Sequence, residues 1–400
     1  MKTEPSDALH DPDFALDPHP VWRRLRDEQP VYHDPVDDVY LLTRHADVRA
    51  AFLDTERLST RLYRKTLGRV FGPNLLQQQG AEHLTRRRLV APLLIGERLA
   101  SYAPLVEAVA REVVEPFRRR GSADLVAEVA HRLPGLVILT LLGLPREDRP
   151  QLFAWYEAMM AGLWDDPERR RSGRAAHEAF AAYVRPVIEQ RQREPADDLI
   201  SRLVTSDLDP AEIPSFLSLL LTAGGETTDK AIANLWYHLL TEPDALERVR
   251  DDEELLDAAF SETMRASPSL VYVGREAVVD LEWHGVRIPA GAEVRLGIAS
   301  ANHDERVFAD PDAFLLPRDD LLLGRERRTA PELEGRSSHL AFGAGAHFCL
   351  GYELARLETV TVSRVLLEVL RQPRLTEPVR QIVDGPSLSP PALPVTFAVR

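Results

Sequence analysis

The sequence predicts a mainly α-helical protein with small β-sheets gathered at one side, built as a single domain over residues 1–400. Three observations predict it. The middle of the chain carries apolar residues at three- and four-residue spacing with charges opposite, which is the period of helices that bury one face. Between positions 270 and 300 the texture changes to Val/Ile-rich segments broken by Pro289-Ala290-Gly291, which reads as strands joined by a turn. No Gly/Ser/Pro-rich linker, charge block or internal repeat divides the chain, although 400 residues would allow two or three domains.

In chain order, the first hundred residues alternate short β-rich runs, such as 39–43, with helical stretches such as 46–53. Helical periodicity then covers 99–119, 123–142, 174–193 and 213–240. Within the last of these, Ala223-Gly224-Gly225-Glu226-Thr227-Thr228 interrupts the apolar run. A glycine inside a helix costs roughly 1 kcal/mol relative to alanine. Two in a row therefore predict a local distortion or a close approach of something to the backbone. Glu226 and Thr227 add a carboxylate and a hydroxyl beside that point, the groups needed to move protons and hold a water. A solvent-facing Glu with a back-bonding Thr that only bends the helix is the plainer alternative. Glu262-Thr263-Met264-Arg265 places a carboxylate and a guanidinium at i, i+3 on one helical face. The chain closes in Pro-rich loops and a short strand at 395–399.

The formal charge of −14, with basic residues dispersed along the chain, argues for no nucleic-acid partner. No apolar run reaches the length of a spanning helix, and the opening Met1-Lys2-Thr3-Glu4-Pro5 lacks the apolar core of a signal peptide. The expectation is a cytoplasmic enzyme with no membrane association, a monomer whose thiol stays reduced. Only Lys2, Lys65 and Lys230 are lysines among 49 basic residues, a bias that with many Ala and Pro suggests a GC-rich genome.

That thiol is Cys349, the one cysteine of the chain, in Phe342-Gly343-Ala344-Gly345-Ala346-His347-Phe348-Cys349-Leu350-Gly351. A single thiol forms no internal disulfide, and the paired ligand spacings of a structural zinc site are absent. A lone thiolate suits the axial position of a haem iron. Gly343, Gly345 and Gly351 allow unusual φ/ψ and a close backbone approach, so that N–H groups reach the sulfur. A buried structural cysteine is the bland alternative. Three glycines, an aromatic and a histidine at fixed offsets weigh against it.

The loop resembles the haem-ligand signature of soluble bacterial cytochromes P450, F-G-x-G-x-H-x-C-x-G, at every defined position. The resemblance spans nearly the whole chain. It implies the cytochrome P450 fold, with haem b (iron protoporphyrin IX) buried between the long distal helix and the cysteine loop. It implies further that Cys349 is the proximal thiolate and metal ligand, that Phe342 packs on the sulfur side of the porphyrin, and that His347 reaches a propionate. Glu82-His83-Leu84-Thr85-Arg86-Arg87-Arg88 is similar to the helix whose His and Arg, here His83 and Arg87, hold propionates, and Arg275 matches a third such donor. Glu226 and Thr227 match the family's acid–alcohol pair over the distal face. Glu262 and Arg265 match its E-x-x-R pair, joined by Arg318 of Phe314-Leu315-Leu316-Pro317-Arg318 in a structural triad. Pocket walls map to Leu75, Leu76, Met160, Leu163, Ala223, Val271, Val273 and Leu388, in a region reaching Trp164, and imply a small, largely apolar substrate.

Two departures stand out. His303 in Ala301-Asn302-His303-Asp304 replaces a common Arg, and the charged segment 319–338 is longer than usual. The implied function is a haem-thiolate monooxygenase that inserts one oxygen atom from O2 into a small molecule, in secondary-metabolite biosynthesis. Its electrons come from a ferredoxin and an NAD(P)H-dependent ferredoxin reductase. A peroxygenase, or a ring-closing or coupling oxidase, is the alternative, followed by a non-enzymatic haem-binding sensor; the Glu226–Thr227 pair favours the monooxygenase. Arg86 and Arg88, with Arg325, Arg327 and Arg328 of the long segment, are the expected docking cations for an acidic ferredoxin.

Overall fold

The computed structural model describes residues 9–10, 12–163, 166–323, 332–333 and 335–399. Helices make its bulk, and one of them organises the rest. The central helix, Ile213–Thr241, is 29 residues long and buried on nearly all sides, among them Phe216, Leu217, Leu221, Ile232, Leu235, Trp236 and Leu239. It is apolar all round because it has neighbours all round. Pro214 stands in its first turn, and Pro243 ends it by forcing Glu242 to ψ 85°, out of the helical region.

Around it pack Leu133–Leu141, Arg149–Ala161, Pro167–Arg193, Leu255–Ala266 and Tyr352–Val369. The predicted helix at 123–142 is corrected to three pieces: a strand Ser122–Asp124, a wide π-type turn Val126–Ala130 and the helix Leu133–Leu141. Pro134 restarts the helical run, and residues 122–124 are taken by pairing with the C-terminal strand Pro394–Ala398. The run at 99–119 likewise divides, into Gly96–Ser101 and Ala103–Val114, with Pro104 at the restart. The helix at 174–193 begins earlier, at Pro167, capped by the Asp166 carboxylate on the amides of Glu168 and Arg169.

The sheets are not all gathered at one side: the largest has a small core of its own, whereas Ala123, Val395 and Phe397 of another pack into the main helical core. The largest has five strands in the order Val31–Asp34, Val39–Leu42, Glu293–Leu296, Val273–Ala277 and Leu58–Ser59. Only the second and third of these run parallel. Leu42, Leu58, Ile288, Val294 and Leu296 form its own small core with Val48 and Phe52 of the helix His45–Leu53. A second sheet joins Arg371–Leu375, Pro394–Ala398 and Ser122–Asp124. Among the described residues no single helix is long and apolar enough to cross a membrane.

The Glu262–Arg265–Arg318 triad is present and buried, each residue 6% exposed or less. Glu262 accepts two bonds of 2.8 Å from Arg265 and bonds of 2.9 and 3.0 Å from the Arg318 Nε. The guanidiniums then spend their other N–H groups on the carbonyls of Asn302, Ala309, Pro311 and Ala313. Arg318 also meets the Asp320 carboxylate at 3.3 Å, so the two guanidiniums are balanced by Glu262 and Asp320, with the carbonyl dipoles completing their bonds.

Candidate functional site

The cysteine loop is held from two directions. Gly343 (φ 68°) and Gly345 (φ 69°) lie in the left-handed region, where a side chain is strained. A Cβ on either would press on Phe52 or Leu53, at 3.2 and 3.0 Å. These two glycines therefore fit the loop against the end of helix His45–Leu53. Of the three glycines expected to approach the sulfur, Gly351 does so, and the second amide is that of Tyr352, at the start of the helix Tyr352–Val369. The positive end of that helix faces the thiol. Across the loop, the Cys349 amide donates to the Phe342 carbonyl at 2.8 Å.

Cys349 is exposed, yet enough protein surrounds it that burial pushes its thiol pKa up. Gly351, the Arg87 guanidinium and Tyr352 pull the other way and favour the thiolate. Behind the loop, Phe342 meets Tyr352 edge-on at 4.9 Å and Phe260 at 6.0 Å. Those rings fix its orientation.

His83, Arg87, Arg275 and His347 converge beside the loop. His83 and His347 stack at 4.0 Å. Burial, then Arg87, lowers His83 to about 4; burial, then His83, Arg275 and Arg87, lowers His347 to about 3. Both rings are neutral at pH 7. Arg87 donates to the Phe348 carbonyl at 2.5 Å. Arg275, 5% exposed, donates to the Gly274 carbonyl at 2.8 Å, meets Tyr63, and lies 5.3 Å from the Phe52 ring centroid. Burial lowers its pKa, the sign of a guanidinium set in protein without a carboxylate against it. Two guanidiniums and two imidazoles gathered this way match a pair of carboxylates on a ligand. The donor set fits haem propionates, and the amide-backed sulfur beside it fits the iron.

The second candidate group lies on the central helix. From 213 to 240 Ala223 alone is exposed, and Thr227 follows it on the same face at i+4. Thr227 Oγ1 donates to the Ala223 carbonyl at 2.8 Å. The helix is continuous through Gly224 and Gly225, so of the two expectations for these glycines the close approach holds. What approaches is protein. A Cβ on Gly225 would lie 2.6 Å from the Tyr156 hydroxyl, and one on Gly224 would lie 3.0 Å from Ile138 Cδ1. Burial raises the Glu226 pKa, Lys230 opposes, and Asp229 and Asp384 add to the rise. Tyr156, Asp229, Lys230 and His131, which approaches Asp229 at 3.3 Å, surround the acid and were not singled out from sequence. Only Asp229 and Lys230, at i+3 and i+4 from Glu226, carried a sequence signal.

The wall residues scatter more. Leu76, Met160 and Leu163 are partly buried and Leu75 is 7% exposed, all against the main core. Val271 and Leu388 pack with Trp22 and Ala299 in a separate small cluster, and Val273 lies against the five-stranded sheet core. Trp164, Arg325, Arg327 and Arg328 lie outside the described residues. Arg86 is not a free cation: it holds Glu212 at 2.7 and 3.0 Å and Glu82 at 3.2 Å. Arg88 is exposed.

Comparison with known proteins decides the family. The cytochrome P450 family model matches residues 36–378. The chain belongs to the cytochrome P450 family. Among curated relatives it is 31% identical over 373 residues to pulcherriminic acid synthase of Bacillus subtilis (strain 168), covering 91% of each chain. It is 32% identical to cyclomarin C epoxidase CymV of Salinispora arenicola (strain CNS-205), covering 90% of this chain and 89% of that one. The crystal structure of CalO2 superposes with a TM-score of 0.87 at 28% identity, covering 98% of both chains. The P450 fold, the haem b cofactor and the monooxygenase class follow from this membership.

Proposed function

We propose that this P450 inserts one oxygen atom from O2 into a small, largely apolar molecule of secondary metabolism, with Cys349 as the proximal ligand. The observation that carries the reading is the sulfur's setting: an accessible thiol, backed by the Gly351 and Tyr352 amides, beside four propionate-type donors. Haem b, when bound, supplies the reductive activation of O2 and the oxidising equivalent, and a thiolate ligand favours O–O cleavage. His83, Arg87, Arg275 and His347 would hold its propionates. Phe342 would cover the sulfur side, wedged by Phe260 and Tyr352.

On the other face, Thr227 gives its hydroxyl proton to the Ala223 carbonyl, which leaves the oxygen lone pairs to accept from a water. Glu226 holds a proton at higher pH than an exposed glutamate, because burial disfavours its anion, and can pass it on toward that hydroxyl. Relatives named for pulcherriminic acid synthesis and cyclomarin C epoxidation support the secondary-metabolite assignment. The partners we assign are a ferredoxin and an NAD(P)H-dependent ferredoxin reductase, in the cytoplasm. In Cys349→Ser the long-wavelength Soret band of the reduced carbon-monoxide complex should be lost, since that band requires a thiolate ligand. Retention of that band would overturn the reading.

A further inference from the structure

At the far side of the triad, three potential metal ligands meet. One ring nitrogen each of His19 and His303 and one carboxylate oxygen of Asp312 lie within 4.8 Å of one another. His19 opens the amino-terminal helix His19–Glu28, His303 follows the helix Ile298–Asn302, and Asp312 lies in the loop beyond. The two imidazoles face each other at 4.1 Å between centroids.

The hydrogen-bond geometry defines the chemistry. His303 Nε2 lies 2.8 Å from the Ala266 carbonyl, which only accepts, so Nε2 carries a hydrogen. In the neutral ring Nδ1 is then a bare lone pair, and it faces Asp312 Oδ1, another acceptor, at 3.3 Å. Two lone pairs at that distance need a proton or a cation between them. His303 is 3% exposed, so the gap between the two atoms is closed off from bulk water. The second unmet group is His19 Nδ1, buried and without a hydrogen-bond partner. A separation of 3.3 Å also suits a metal, because tetrahedral zinc with bonds of about 2.0–2.2 Å sets its ligand atoms about 3.3–3.6 Å apart.

We propose that His19, His303 and Asp312 form a three-ligand site for a divalent ion of the zinc class, with a water in the fourth position. The Ala266 carbonyl on His303 Nε2 fixes the tautomer, as outer groups do at metal-bound histidines. Arg23 donates to Asp312 Oδ2, so the carboxylate keeps Oδ1 toward the imidazoles. Arg26 and Arg265 also face His19, but each is engaged, with Glu305 and Glu262. Their charge weakens the site and sets it apart from a tight storage site. His303 is one of the two departures from the family pattern, standing where Arg is common; Arg offers no lone pair to a metal. A bound ion would tie the amino-terminal helix to the segment beneath the triad.

The test uses the haem-loaded full-length protein without an affinity tag, stripped with a chelator and titrated with zinc chloride against a chromogenic chelator. One equivalent should bind, and the melting temperature should rise with zinc concentration, as linkage requires. His19→Gln and Asp312→Asn, both tolerable near the surface, should each weaken binding at least tenfold and remove the thermal shift, as should His303→Gln where it folds. His10→Gln, in the other His/Asp group with Asp34 and Asp37, should change neither. No zinc retained by the wild type, or retention equal in the His19 and Asp312 variants, overturns the proposal.

Discussion

Thr227 uses its hydroxyl hydrogen on the Ala223 carbonyl at 2.8 Å, so what the side chain has left to offer is an acceptor. Removing it should leave haem and substrate binding intact and divert reducing equivalents into hydrogen peroxide. General acid–base assistance is worth on the order of 10²-fold or more. Thr227→Ala should therefore lower product formed per NAD(P)H by a large factor while NAD(P)H consumption continues. Unchanged coupling would move the proton-handling role elsewhere. This hydroxyl was legible from sequence, as were Cys349, His347 and Glu226, because each sits inside a short local pattern whose spacing is the signal. Tyr156 and Phe52 were not, since each matters only through a neighbour far away in sequence. Gly225 is the residue that exposes this: the page of sequence shows a costly glycine, and only the fold shows the Tyr156 ring that requires it. Gly225→Ala should destabilise the protein by about 1–3 kcal/mol through overpacking. Combined with Tyr156→Ala, its added cost should fall sharply in a double-mutant cycle read by urea unfolding.

Helices show the same division at the next scale. Strong periodicity makes the central helix and Pro167–Arg193 visible in outline, whereas the apolar spacing of 123–142 suits several conformations, and strand pairing with Pro394–Ala398 decides its first two residues. The helix Tyr352–Val369 was missed altogether, hidden by buried polar residues that break its apolar pattern, Glu353, Glu358, Thr359 and Ser363. Glu358 carries a consequence for stability. It is 1% exposed with an unpartnered Oε2, and burial raises its pKa well above the ordinary glutamate value. The native state thus prefers the protonated acid, while the unfolded chain ionises near pH 4.3. Stability from this group is complete below that value and is lost as pH rises toward the folded pKa. Glu358→Gln removes the ionisation, so its stability relative to wild type should grow with pH from about 5 upward, at up to about 1.4 kcal/mol per pH unit. Parallel unfolding midpoints for the two proteins from pH 5 to 8 would contradict this.

Over the whole molecule, a formal charge of −14 repels an acidic electron donor, so productive docking depends on where the positive charge is left uncovered. The helix Gly80–Val90 illustrates how little of that can be read from counting arginines. Arg87 turns inward to the Phe348 carbonyl next to the cysteine, and Arg86 is neutralised by Glu212 and Glu82. Arg88 remains exposed and, among the described residues, makes no ion pair. For the ferredoxin proposed above, it is the cation on this helix best placed for attraction. Arg88→Glu should slow first-electron transfer from an acidic ferredoxin by a factor on the order of 10 at low ionic strength, the lower end of what steering supplies. Arg86→Glu should act mainly by breaking its own pairs, with a smaller effect on that rate. Raising salt from 0.01 to 0.15 M shortens the screening length from about 30 to about 8 Å, so the gap between wild type and Arg88→Glu should narrow accordingly. Stopped-flow reduction would read both effects, with substrate affinity unchanged; rates indifferent to charge reversal and to salt would place the docking surface on another face.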